Sequence, residues 1–410
     1  VKQFFKRLFG YTDQPRRSIT WDEAARVGLV QTPSLSGVTV TEEAALALSA
    51  VFRATRVLSE SVGTMPLKVY QRTPDGRDEA RDYPLWPILH DEPNPEQSAV
   101  EFFTLLMWWA VLYGNAFAEV VRDGAGRAVQ LWPIPPWTCK PHRTDAGPVY
   151  VIRTPDAQDV TIAAEDVLHL KGPTPDGSQG YKLAKLAAES FGYSLALDRF
   201  GSALFGNSCK IGGVLKTAGQ LSETARDNLK RSWANSYQGV DSTGKIAVLE
   251  EGLDFVPFTI SNEAQEYTLT RQHQIYEVCR WIGVDPIFVY EYGRATWSNS
   301  EAQTRNFLQF SLNPWLKKIE TELTRKVFPI GERQTYYPEF VRESVVQMDT
   351  KTQHEVWAIG VDKGWYQVEE VRQWLNLPKL PPKPEPIAEP ITPQPQEPDG
   401  TQKPTDNLPA

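Results

Sequence analysis

From Phe102 to Ala118 the chain carries no charged side chain. A run of that length approaches what a helix needs to cross a bilayer, so it either spans a membrane or lies at the centre of a folded core. The flanking residues favour the core. Ser98 and Glu101 stand three apart, the spacing of a capping box, in which each side chain satisfies the other residue's backbone N–H. Gly114 supplies a stop, because glycine tolerates the left-handed backbone that ends many helices. A short helix is therefore expected around Phe102 to Tyr113, and Asn115 to Val121 reads as a strand. No stable membrane association is expected.

The rest of the chain is compatible with such a core. Its 410 residues exceed one typical domain, so two or more modules are expected. The net charge is −8, a poor balance for tight non-specific binding to duplex DNA, which depends on neutralising phosphates. Cys139, Cys209 and Cys279 are too far apart for a metal or redox motif, which points to free thiols in a reducing compartment. Phe4 to Phe9 is an aromatic and basic patch, too short for a signal core.

The search for catalytic chemistry is mostly negative. No Gly-rich loop precedes Lys and Ser or Thr, so no phosphate-binding loop is legible. Gly124-Ala125-Gly126 reads as a hairpin turn, without the following helix that a dinucleotide site needs. The five histidines, at 90, 142, 169, 273 and 354, are isolated. His169 reads as a satisfied structural residue on a strand. Acidic pairs such as Glu42-Glu43, Glu250-Glu251 and Glu369-Glu370 read as solvated faces. No catalytic residue, cofactor site or metal site is expected, with a metal-dependent nuclease or other DNA-processing enzyme kept as the alternative.

Periodicity lays out the elements. A helix is expected from Thr41 to Val62, with Ala44, Leu48, Val51, Thr55, Leu58 and Val62 on its buried face and Gly63 and Pro66 ending it. Leu67 to Arg72 reads as a strand. A hairpin follows the helix at 102–113, turning at Asp123 to Gly126, with more strands at Val149 to Arg153 and Val167 to Leu170. Residues 41–175 therefore read as an α+β domain. A helix of roughly 40 Å is expected from Tyr181 to Phe205. A small β-α-β-β unit then runs from Gly212 to Ser261, with Ser222 as a helix cap. Another helix covers Ala264 to Ile282, and an irregular segment covers Gly283 to Asn299. A long helix begins near Ser298, with a kink, or a restart capped by Asn313, at Pro314. Residues 334–348 read as a strand. Helices at Thr352 to Ile359 and Gln367 to Leu375 are split by Gly360 and Gly364. Eleven of the 33 residues from Pro378 onward are proline, a composition that builds no core.

This order, two helices flanking a small α/β insert and then a loop leading into a third long helix, resembles the portal (head–tail connector) proteins of tailed bacteriophages. The resemblance covers roughly residues 40–377. It is carried by Ala45–Tyr70, Asp166–Ala187, Leu204–Thr217, Gly244–Asp254, Gly283–Val289 with Ser298–Glu320, and Gly364–Pro378. The chain departs from the family pattern at Cys209-Lys210-Ile211, at Asp285, and at Val289-Tyr290-Glu291, where the family often has a glycine.

The resemblance implies an α+β, multidomain portal-type subunit: a flexible N-terminal arm (1–40), a wing (41–180 with 328–350), a first stem helix (181–207), a clip (208–263), a second stem helix (264–283), a tunnel loop (284–299), a long helix behind it (300–327), a crown (352–377) and a Pro-rich disordered tail (378–410). It implies a ring of usually twelve copies at one capsid vertex of the virion, assembled in the host cytoplasm. Double-stranded DNA passes through the ring. The terminase large subunit, the major capsid or scaffold protein and a head-completion adaptor are the implied partners. Tyr290, Tyr292, Arg294, Trp297 and Arg305 are the implied channel residues, and Arg226, Lys230 and Arg231 the implied terminase-docking residues. Lys182 and Lys185 are further basic residues placed for transient phosphate contacts or for intersubunit pairs.

Overall fold

The computed structural model describes residues 32–206 except 146 and 157, then 213–216, 222–228, 231, 254–257, 263–292, 300–342, 350–375 and 377–378. The chain divides into two compact units, 1–347 and 348–410.

The first unit opens with a two-stranded hairpin, β1 (Thr32–Pro33) and β2 (Thr39–Val40). Helices α1 (Glu42–Leu46) and α2 (Ser49–Thr64) follow. The sequence pattern predicts one helix here, but the chain breaks at Leu48, whose backbone is extended with ψ 114. Leu48 is buried, so the break turns an apolar side chain inward with no glycine or proline to signal it. Val51, Thr55, Leu58 and Val62 are buried as expected, whereas Ala44 is only half-buried and Ala45 takes its place. Gly63 does not end the helix. It lies inside α2, where a Cβ would meet Thr104 Oγ1 at 2.0 Å and the Val100 carbonyl at 2.8 Å. The glycine thus lets α3 (Ala99–Leu112) press directly on α2.

Strands β3 (Leu67–Thr73) and β4 (Gly76–Glu79) form a hairpin, and a five-residue π-turn covers Pro87–Asp91. Helix α3 carries the capping box read from the sequence: Glu101 N–H donates to Ser98 Oγ and Ser98 N–H to Glu101 Oε2. It ends on Gly114, φ +70. Strands β5 (Asn115–Arg122) and β6 (Ala128–Ile134) follow, then β7 (Cys139–Thr144), β8 (Gly147–Arg153), β9 (Asp159–Ala163) and β10 (Val167–Lys171). Strands β7 and β9 have no counterpart in the sequence reading; Pro141 in β7 and the exposed alternate residues of β9 mask the usual strand signal.

Two three-stranded antiparallel sheets, β10-β5-β6 and β7-β8-β9, face each other. One face of β5 presents Ala116, Ala118 and Val120 to the main core, which also holds Phe102, Phe103 and Leu106 of α3. The other face presents Phe117 to a second core with Ile134, Tyr150 and Ile152. Burial on every side explains the uncharged run.

Glu119, the residue that ends that run, lies on the second face. Its Oε2 is buried without a hydrogen-bond partner, and burial, then the negative Asp166, push its carboxyl up to about 7. The folded chain therefore holds this proton more tightly than the unfolded chain. Stability from this site is present at acidic pH and is lost as pH climbs from the ordinary glutamate value of 4.5 to about 7. Glu119→Gln is expected to raise the unfolding free energy at pH 8, by roughly 1–3 kcal/mol after discounting partial exposure, and to change it little at pH 5. An equal shift at both pH values would refute the assignment.

After the domain come α4 (Leu183–Leu186) and α5 (Ala188–Gly206), one continuous run in the sequence pattern but bent at the buried Ala187, ψ 17. Strands β11 (Gly213–Lys216) and β12 (Asp254–Pro257) pair antiparallel. Between them, 223–228 is helical, with Ala225 N–H donating to Ser222 Oγ, as the cap reading requires. The strand expected at 246–249 lies outside the described residues.

Helix α6 (Glu263–Ile282) leads to a 3-10 turn at Pro286–Val289 and then α7 (Ser300–Asn306), a π-turn at Phe307–Leu312 and α8 (Asn313–Lys326). Asn313 does not cap a restarted helix. Its N–H bonds five residues back to the Leu308 carbonyl, and its Oδ1 accepts from Arg342 Nε. The widened turn makes room for the Pro314 ring, which in an α-helix collides with the carbonyl four residues back.

Helix α8 also covers the open edge of β10. Lys318 Nζ donates to the Lys171 carbonyl at 3.1 Å, and Lys326 Nζ donates to the Ala164 carbonyl. Covered edges resist unwanted strand pairing. Strand β13 (Tyr336–Phe340) lies within the expected 334–348, of which 343–348 are outside the described residues, and pairs with β3.

The second unit contains α9 (Thr350–Asp362) and α10 (Val368–Trp374). Gly360 lies within α9 rather than splitting the pair. Tyr366 packs on it so closely that a Cβ would meet the ring at 2.3 Å. Gly364, φ +74, makes the turn.

Candidate functional site

Helices α5 and α6 run antiparallel, as their cross-links descend one helix while climbing the other. Ser194 Oγ donates to Gln274 Oε1 at 2.9 Å, and Arg271 pairs with Asp198 at 3.2 Å. Gly201 lies against Tyr267, whose hydroxyl a Cβ would meet at 2.1 Å. Their outer sides leave Tyr193, Phe200 and Leu269 about half exposed. Cys279 is buried at the inner end of α6, and burial pushes its thiol up to about 11; Cys139 is pushed up to about 12 in the same way. Neither forms the thiolate that reactive cysteines need.

Where α5 leaves the α+β domain, three glycine backbones meet. Gly172 N–H donates to the Gly114 carbonyl at 2.8 Å, and a Cβ on Gly180 would meet that carbonyl oxygen at 1.9 Å. Asn115 Oδ1 accepts from Gly180 N–H at 2.8 Å and contacts His169 Nε2 at 3.0 Å. The carbonyl oxygen can only accept, so His169 carries its proton on Nε2 and its Nδ1 accepts from the Tyr150 hydroxyl, 3.0 Å away. Burial first, then Lys171 and Lys326, lower the imidazole to about 3, which keeps it neutral. The sequence reading of His169 as a satisfied structural residue holds. This chain of bonds ties β8, β10, β5 and the approach to α4 and α5 together.

At the far end of α6, Gly283 (φ +80) turns the chain. Asp285 accepts from Ile287 N–H at 3.1 Å and so caps the 3-10 turn begun by Pro286. Tyr290 and Tyr292 follow, 64% and 56% exposed. Arg294 and Trp297 lie outside the described residues. Arg305 is exposed on α7. Arg226 pairs with Glu223 at 3.9 Å, Arg231 donates to Asn228 Oδ1 at 3.1 Å, and Lys230 is outside the described residues. Lys182, read as a phosphate-contact candidate, faces the buried Glu42 carboxylate at 3.8 Å. Arg53, which the sequence reading passed over, reaches this turn from α2. An arginine on an otherwise regular helix face carries no signal of its own.

The described geometry is thus a packed α+β domain, an antiparallel helix pair and a capped turn leading into a π-kinked helix. A profile of the family described as "Phage portal protein" matches residues 49–376. The chain belongs to the phage portal protein family. A probable portal protein of Streptomyces phage phiC31 is 30% identical over 84% of this chain and 78% of its own length. The portal protein of Enterobacteria phage HK97 is 24% identical over 89% and 87%. The fold is shared with the crystal structure of an HK97-family phage portal protein from Corynebacterium diphtheriae, at a TM-score of 0.57 and 17% identity over 75% of this chain and 96% of that one. A chain from the neck of a gene transfer agent particle, computed with C12 symmetry, matches at a TM-score of 0.56 and 20% identity over 82% and 92%. The portal family is structural, and neither its description nor these relatives' names carry an enzymatic activity. Tyr290, φ +66, is the single non-glycine residue with positive φ among the described residues.

Proposed function

We propose that this chain is the repeating subunit of a closed ring, of twelve copies, at one vertex of a phage capsid, and that double-stranded DNA enters and leaves the capsid through it. The observation that carries this reading is the match to the portal family across residues 49–376. The half-exposed Tyr193, Phe200 and Leu269 on the α5–α6 pair support it, because a ring needs two complementary apolar surfaces on each subunit. The net charge of −8 also suits a conduit, since weak phosphate neutralisation lets DNA slide.

In this reading, 208–263 meets the terminase large subunit and later a head-completion adaptor, with Arg226, Lys230 and Arg231 as contacts. The major capsid or scaffold protein is a further partner. Tyr290, Tyr292, Arg294, Trp297 and Arg305 face the channel. Assembly takes place in the host cytoplasm. No observation on the described residues favours the metal-dependent nuclease reading.

Negative-stain imaging of the purified protein tests the proposal. Rings with rotational symmetry around a channel about as wide as duplex DNA are expected. A strictly monomeric species under conditions that support capsid assembly would sink it.

A further inference from the structure

Tyr290 is held in the left-handed region, φ 66 and ψ 22, where a Cβ crowds the neighbouring carbonyl and a tyrosine sits at a cost. Such strain persists only where the surroundings hold it. Arg53 is positioned to do so. Its Nε donates to the Phe288 carbonyl at 3.1 Å, and its guanidinium lies over the Tyr290 ring, 4.7 Å from the centroid. The neighbouring Arg56 is taken up by Glu60 at 2.8 Å, so it is no substitute. Phe288 packs tilted against Phe307, ring centroids 4.3 Å apart, which fastens the same turn to the start of the π-kinked helix.

We infer that Arg53 is the positioning residue of this turn: it latches Tyr290 in its strained conformation and thereby sets the direction in which the chain leaves at Tyr292. A charged donor on a carbonyl and a cation on a ring act on two nearby points of one turn, so releasing them lets Tyr290 relax and changes the direction of the chain at Tyr292. The consequence for DNA rests on the proposed channel role of 284–299; the latch itself does not.

The test is amide hydrogen exchange of the full-length chain, read by mass spectrometry at Tyr290 and Glu291, whose N–H groups donate to the Ile287 and Pro286 carbonyls at 3.1 Å, with the amides of β8 as an internal control. Arg53→Met keeps the stem of the side chain and removes both contacts. It is expected to speed exchange at Tyr290 and Glu291 about tenfold relative to β8, through local opening of the turn, with the global unfolding midpoint nearly unchanged. In the double variant Arg53→Met/Tyr290→Gly the glycine adopts the left-handed backbone freely, and protection is expected to return to within about twofold of wild type. Arg53→Lys is expected to fall between. An unchanged rate in Arg53→Met, an equal increase in the turn and in β8, or a double variant as fast as Arg53→Met each overturn the inference. The exchange pattern without rings in the microscope would support the latch and remove the ring reading; rings without the pattern would do the reverse.

Discussion

Gly180→Ala is expected to break the junction between the α+β domain and α4–α5, at a cost of about 4 kcal/mol or more, in the range reserved for exceptional substitutions. The added Cβ would lie 1.9 Å from the Gly114 carbonyl oxygen, 2.9 Å from its carbon and 3.0 Å from Gly172 N. All three are backbone atoms, so no rotamer change relieves the clash. Moving Gly114 away breaks the Gly172-to-Gly114 bond, and moving Gly180 away breaks its bond to Asn115 Oδ1, the same oxygen that accepts from His169. Gly177→Ala is the control. Gly177 has φ +78 with open space around it, so only the left-handed penalty applies, about 1–2 kcal/mol. Denaturant unfolding of both variants, with hydrogen exchange on β5 and β10, measures the difference. Equal costs at the two positions would show that the junction yields more easily than its geometry implies.

Glu320→Leu is the second large effect. The Glu320 carboxylate is buried, 5% exposed, and is fully used. Its Oε1 accepts from Phe340 N–H at 3.1 Å and Arg342 Nη2 at 2.7 Å, and its Oε2 from Lys317 Nζ at 2.8 Å. It joins α8 to the end of β13. Leucine there leaves a strand N–H without its acceptor and takes from Arg342 its nearer carboxylate, leaving that guanidinium Glu339 at 3.4 Å and Asn313 Oδ1 at 3.0 Å, so the expected cost is about 3 kcal/mol, the low end for breaking a buried pair from one side. Lys317→Met is expected to cost less than about 1 kcal/mol, because that lysine is mostly in solvent. Combining Glu320→Leu with Arg342→Met is expected to cost clearly less than the sum of the two, since each single change already breaks the same bond. Strict additivity in the unfolding free energies would mean that the pair is not coupled.

These two sites show where sequence reading stops. The capping box at Ser98 and Glu101, the stop at Gly114 and the hairpin at Asp123 to Gly126 were legible because a cap or a turn is decided by residues within four positions of each other. Asp285 stood out in the sequence only as a departure from the family pattern, and the structure makes it the cap of the turn. Glu320 read as one more polar residue on a helix. Its partners Phe340 and Arg342 lie about twenty residues on, and only packing brings them to it. Arg53 reaches a turn more than 200 residues away and had no local signal.

The uncharged run from Phe102 to Ala118 divides the two kinds of knowledge. By itself the sequence determined that this stretch is a capped helix followed by a strand, since Ser98, Glu101 and Gly114 act on their own neighbours. It also determined the family, through segments that keep their order along the chain. Only the tertiary structure decided that both faces of β5 are covered and by what, α3 on one side and β7-β8-β9 on the other. It alone placed Glu119 where its charge is costly, and it alone showed that Gly63 and Gly180 are contact points between backbones. Burial is a property of what arrives from elsewhere in the chain, and a local pattern records only the need for it.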